Sequence, residues 1–154
     1  MQLIRRFGAD AYARALESWG WLDELAGLTP AMTNAFGDVF LEGQDGSFAF
    51  LDTLGGRLDR VWSDAATLQA NINSPETQDE YLMIGLAQAA EDAGLTPGED
   101  QVLSFKVPPV LGGELSAENL ELADFVVAVN LAGQIHEKVR SLPPGTPITG
   151  INID

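Results

Sequence analysis

The chain has 154 residues, 45% of them apolar, no cysteine, and a formal net charge of −15 with an isoelectric point near 4.1. A chain of this length favours one domain, residues 1–154, able to bury about 68–70% of its unfolded surface. The missing thiols exclude disulfides, thiolate metal sites and thiol catalysis, and the negative charge argues against direct binding of nucleic acid or anionic membranes, both of which are held by clustered Lys and Arg.

The start, "MQLIRRFGAD", has two arginines with no apolar stretch behind them, so neither a signal peptide nor a membrane span is expected and the expected location is cytoplasmic. "DAYARALESWGWLDEL" then reads as an amphipathic helix, with Tyr12, Leu16 and Trp19 on one side and Asp10 as N-cap. Gly20, Gly27 and Pro30 break that pattern, and Trp21–Leu25 is left undecided. In "FGDVFLEGQDGSFAFLDTLGGRLDRVW" the period changes to two, and Asp45-Gly46 and Gly55-Gly56 separate the runs. Such dipeptides mark hairpins, which predicts a three-strand antiparallel meander over 38–41, 47–52 and 58–62. Ser63 or Asp64 caps a short helix over 65–72, and one longer helix is expected over 76–93, stopped by Gly94. "QVLSFKV" is a further strand and Asn119–Leu122 a short one. Asp124 caps a last helix reaching Ser141, with Val127, Leu131, Ile135, Val139 and Leu142 as its apolar side, and "PPGTPITGINID" leaves an extended tail. Strands and helices are segregated, which predicts an α+β fold in which an antiparallel meander packs against several helices.

The stretch "LSFKVPPVLGGELSAENLE" places Lys106 near Gly112 and Gly113. A phosphate loop needs its lysine directly after the second glycine; here the lysine comes first and Glu114 follows, so a rigid corner is the better reading. Pro108 and Pro109 end the strand, Gly112-Gly113 turns the chain, and Val110 and Leu111 between them are expected to plug into the core. Lys106 pairs with nearby carboxylates in this reading. His136 is the single histidine, flanked by Gln134 and Glu137. Beside Ile135 it reads as a packing or capping residue, against a role in acid–base catalysis. One histidine cannot form a histidine metal cluster; an oxygen-only site from the many carboxylates stays open, although the spacing of a calcium loop is missing, and no G-x-S-x-G elbow occurs, so the expectation is of no catalytic residues, no metal and no cofactor. The serine of "DGSF" is turn chemistry. Trp19, Trp21 and Trp62 are core residues or, alternatively, interface anchors.

Two pieces carry a family resemblance: "SFKVPPVLGG" and the helical "GQIHEKV", Gly133–Val139, set within a pattern running from about Trp19 to Ile148. In order and spacing they resemble the C-terminal domain of type VI secretion immunity proteins, the antitoxins of secreted DNase effectors, a family long catalogued as a domain of unknown function. The resemblance implies a non-enzymatic bacterial protein that binds a cognate toxin. It supplies no catalytic residues. The signature positions Lys106, Pro108, Pro109, Gly112, Gly113, Gln134 and His136 are its candidate binding residues, and they read equally as scaffold. A DNase holds phosphates and so carries a basic face, which a protein at −15 would be attracted to and mask. Two alternatives stay open: a small-ligand or enzymatic domain using the His136 and Pro-Gly region, and a regulatory interaction domain with no toxin partner.

Overall fold

The computed structural model describes residues 2–142; Met1 and residues 143–154, where the extended tail was expected, lie outside the described residues. In chain order the elements are β1 (Ile4–Arg5), α1 (Ala9–Leu16), β2 (Thr29–Asn34), β3 (Val39–Glu42), β4 (Phe48–Asp52), β5 (Arg57–Trp62), α2 (Ala65–Ile72), α3 (Pro75–Leu82), α4 (Ile84–Asp92), β6 (Gln101–Phe105), β7 (Leu120–Asp124) and α5 (Phe125–Arg140). Five antiparallel strands form one sheet in the order β1-β2-β3-β4-β5, and β6 and β7 form a second, two-stranded sheet. The fold is α+β.

The meander forms where the hairpin dipeptides place it. Asp45 accepts hydrogen bonds from the amide and hydroxyl of Ser47, and Gly46 takes the left-handed conformation at φ +84°, so the serine of "DGSF" does serve the turn. β3 and β4 are buried on both faces. Val39, Leu41 and Leu51 point to one side, where Tyr12, Trp19, Phe125 and Val129 complete a core with α1 and α5. Phe40, Phe48 and Phe50 point to the other, against Trp62 and against Leu68 and Leu82 of α2 and α3. Helices thus cover both faces of the sheet. A third cluster joins Leu103, Phe105 and Leu120 of the small sheet to Ala87 and Ala90 of α4.

Several expectations are corrected. β1 and β2 were not anticipated: β1 is two residues long, and β2 carries Pro30 at a register irregularity between Pro30 and Met32, where a strand tolerates the lost donor. Gly8, not Asp10, is the N-cap of α1; Asp10 sits in the first turn, where its charge suits the helix dipole. The single helix expected over 76–93 is two, broken at Met83, which adopts φ +48°. The physical reason is that the halves serve different cores: Leu82 packs with Phe40 and Phe50, whereas Ala87 and Ala90 pack against the small sheet. The stop at Gly94 holds, with the Leu95 amide donating to Ala90 O and the Gly94 amide to Glu91 O, a Schellman closure.

The apolar side assigned to α5 is also corrected. Val127 is 61% exposed and Leu131 41% exposed, while Phe125, Val129, Gly133, Ile135 and His136 are buried. Of the expected stripe only Ile135 is fully inside.

Candidate functional site

The chemistry of the region starts at the turn "NAFGD" between β2 and β3. The Asn34 Oδ1 accepts from the amides of Phe36 and Asp38, and its Nδ2 donates to Asp38 Oδ2 at 2.9 Å and to Tyr81 O at 2.8 Å. The other oxygen of Asp38 accepts from the amide and hydroxyl of Thr53, at the end of β4. Burial pushes the Asp38 carboxyl up to about 6 against the hydrogen bonds from Thr53, and the charge of Asp52 adds to the rise. The carbonyl of Thr53 then accepts from His136 Nε2 at 2.8 Å, which links α5 to the sheet.

That bond defines the histidine. A carbonyl can only accept, so the proton of neutral His136 lies on Nε2. Burial holds the imidazole below its ordinary value near 6.5, partly offset by the Thr53 carbonyl. The ring lies 5.8 Å from Trp19, and its Nδ1 faces the backbone of Gly56, where a Cβ would come within 2.4 Å. His136 is a packed, neutral strut. Within the same helical segment, a Cβ on Gly133 would lie 2.2 Å from Ser18 Oγ and 2.9 Å from the Trp19 ring, so the glycine permits α5 to meet the turn after α1. Gln134 donates to Asn130 Oδ1 at 2.8 Å within α5. Trp19 and Trp62 are core residues; Trp21 is half-buried, its Nε1 donating to Gly133 O.

The Pro-Gly stretch is a rigid corner. Asn119 closes it: its Oδ1 accepts from the Val107 amide, its Nδ2 donates to Val107 O and Glu114 O, and its carbonyl accepts from the Lys106 amide. Gly112 turns at φ +96°, and a Cβ on Gly113 would lie 1.7 Å from Val107 O. Lys106 is exposed and, among the described residues, makes no ion pair, against the expected pairing. Val110 and Leu111 are half-buried instead of plugging into the core.

The structure brings some of the candidates together. Pro108, Pro109 and His136 line one cleft of about 80 Å³ between the corner and α5, with Leu54, Leu131 and Val110 among its other walls. Lys106, Gly112, Gly113 and Gln134 are not on that lining. Leu131, Val110 and Thr53 were missed as members of the cleft, and Asn34 and Asp38 as its polar support. The signal for the last two was present: an Asn and an Asp four apart around Gly37, between two strands.

Residues 65–136 match the family described as T6SS immunity protein Tdi1, C-terminal. The match begins at α2, spans β6, the Pro-Gly corner and β7, and ends at His136; the five-stranded sheet lies outside it. The resemblance read from the sequence therefore holds over both signature segments as far as His136. No curated protein sequence matches the chain. Among solved structures, the chain is similar to the crystal structure of Atu4351 from Agrobacterium tumefaciens, with 18% identity and a TM-score of 0.51. The similarity covers 86% of this chain and 66% of that one, and it bears on the fold alone. Among the described residues no helix is long and apolar enough to cross a membrane, and no group of three or more His, Asp or Glu side chains could hold a metal ion.

Proposed function

We propose that this protein is a non-enzymatic immunity protein that acts in the bacterial cytoplasm as one domain and neutralises a cognate, basic DNase-type toxin by direct binding. The observation that carries the reading is the match of residues 65–136 to the immunity family. The net charge of −15 supports it, because an acidic surface is drawn to a face built to hold phosphates and can mask it. The state of His136 weighs in the same direction. An acid–base catalyst needs a titratable nitrogen facing a substrate, whereas this imidazole is buried, with Nε2 committed to Thr53 and Nδ1 against Gly56. A cleft of about 80 Å³ is small for a metabolite, since ligand sites run to roughly 300–1,000 Å³.

The test is co-expression with the protein encoded beside this gene. The expected result is rescue of cells that the neighbouring protein alone kills, together with a complex that survives gel filtration. Cells that die equally fast with and without this chain, and no complex, would sink the proposal.

A further inference from the structure

Five large apolar side chains stand exposed among the described residues: Val61, Val107, Leu115, Val127 and Leu131. All but Val61 fall on the loop from Lys106 to Asn119 or on the outer face of α5. Leu131 lies on the wall of the cleft, opposite Pro108, Pro109 and Val110, and Val127 sits one helical turn before it. The corner that forms the far wall is held by the three side-chain bonds of Asn119, so the cleft exists before any partner arrives. Its charge setting is one-sided. From Lys106 to Asp124 the carboxylates Glu114, Glu118, Glu121 and Asp124 are all exposed, against Lys106 as the one base.

We infer that this face, the Pro-Gly corner with the outer side of α5, is the docking surface for a basic protein partner that inserts one apolar side chain into the cleft. The inference rests on the function proposed above and adds where the contact is made. An apolar cavity of ~150 Å³ accepts benzene, so about 80 Å³ suits an aliphatic side chain, not a free ligand. The exposed carboxylates of Glu114, Glu118, Glu121 and Asp124, which follow the corner in the chain and lead into α5, favour Lys and Arg on the partner and repel nucleic acid. A second copy of this chain is disfavoured because it would bring the same carboxylates face to face. The larger groove of about 330 Å³, between α1 and the start of β2, lacks this character: Leu16, Leu25 and Leu28 there are half-buried and none stands exposed.

The experiment measures binding kinetics of the protein encoded beside this gene, at low and high salt, to wild type and three variants. Leu131→Lys removes the apolar wall and adds a like charge to that of the partner. A triple variant reverses Glu114, Glu118 and Glu121 to Lys. Ala13→Lys alters the other groove. The expectation is that Leu131→Lys weakens binding by about tenfold or more, mainly through faster dissociation. The triple variant slows association by about tenfold and flattens its salt dependence. Ala13→Lys stays within about twofold of wild type, as expected outside a hot spot. Hydrogen exchange on the unaltered complex provides a reading independent of variant folding, with new protection expected over 106–111 and 125–132. Wild-type affinity in Leu131→Lys, or protection confined to the α1 groove, overturns the surface while leaving the immunity reading intact. A neighbouring protein that does not bind wild type at all overturns both.

Discussion

On the inner side of α5, Phe125 stacks on Phe7 at 3.9 Å, the Val129 carbonyl accepts from Trp19 Nε1, Gly133 admits Ser18 and Trp19, and His136 holds the Thr53 carbonyl. On the outer side Val127 and Leu131 stand exposed beside a cleft, and Ala128 and Ala132 line it. The buried side thus admits a glycine and a histidine beside Phe125, Val129 and Ile135, and the exposed side keeps two aliphatics. Hydrophobicity alone would place Gly133 and His136 outside and Val127 and Leu131 inside. What decides burial here is close approach and the backbone bonds that need partners; the aliphatics left outside are a surface still to be covered. The two faces therefore separate into one that holds the fold and one that meets a partner, and substitutions on each should separate stability from binding.

The largest effect is expected on the inner face. His136→Ala removes a packed ring and leaves the buried Thr53 carbonyl without its donor. The cavity and the unmet acceptor together should cost about 3 kcal/mol, read as a lower urea midpoint at unchanged m-value. In the complex with the neighbouring protein, measured at a temperature where the variant is folded, affinity should fall less than in Leu131→Lys, because His136 lines the cleft but is buried. A variant as stable as wild type that had lost binding would reverse the roles of the two faces.

How much of this could be read beforehand follows from which residues announce themselves. The meander was legible because Asp45-Gly46 and the Gly55-Gly56 pair are local chemistry, and the caps at Asp64 and Asp124 are equally local: each accepts an amide three residues on. The Pro-Gly corner was legible for the same reason, since its misplaced lysine argued against a phosphate loop. The break at Met83 was not, because a non-glycine residue at φ +48° is tolerated only by tertiary demand, here the need to serve two cores. The faces of α5 were misassigned because Gly133 and His136 gain their burial from Ser18, Trp19 and Thr53, which lie far away in sequence. Of the candidate binding residues, Pro108, Pro109 and His136 do share a cleft, but its exposed wall at Leu131 was counted as core.

A middle-sized effect sharpens the inner face further, through pH. A carboxyl whose pKa is higher in the folded state than in the unfolded chain stabilises the fold when protonated. For Asp38 that contribution is present in the ordinary carboxylate range and is lost as pH rises through about 6. His136 has the opposite sign: its pKa is lowered on folding by burial, so its contribution is present above the ordinary imidazole value and is lost as pH falls through the folded value. Asp38→Asn cannot ionise, and its amide would face the Nδ2 of Asn34, so it is less stable than wild type throughout. The difference between the two proteins should shrink as pH rises through about 6. A difference that is flat across that range would show that Asp38 does not titrate there.

The smallest expected effect on stability belongs to the outer face, and it is the sharpest test of the division. Val127 is 61% exposed, one turn into α5, and makes its backbone bond to the Asp124 cap through an amide that any residue other than proline supplies. Lysine at this position keeps that cap bond and can extend into water, so Val127→Lys should change unfolding free energy by no more than about 0.5 kcal/mol. Lysine has somewhat better helix propensity than valine, while its charge in the first turn of α5 opposes the helix dipole, so the two small terms offset each other. The same change should slow association with a basic partner, because it puts a positive charge beside Asp124 where the surface is otherwise negative. A loss of a few kcal/mol would mean that Val127 is covered in the free protein. Unchanged stability with impaired binding is the pattern that only an uncovered docking face would give.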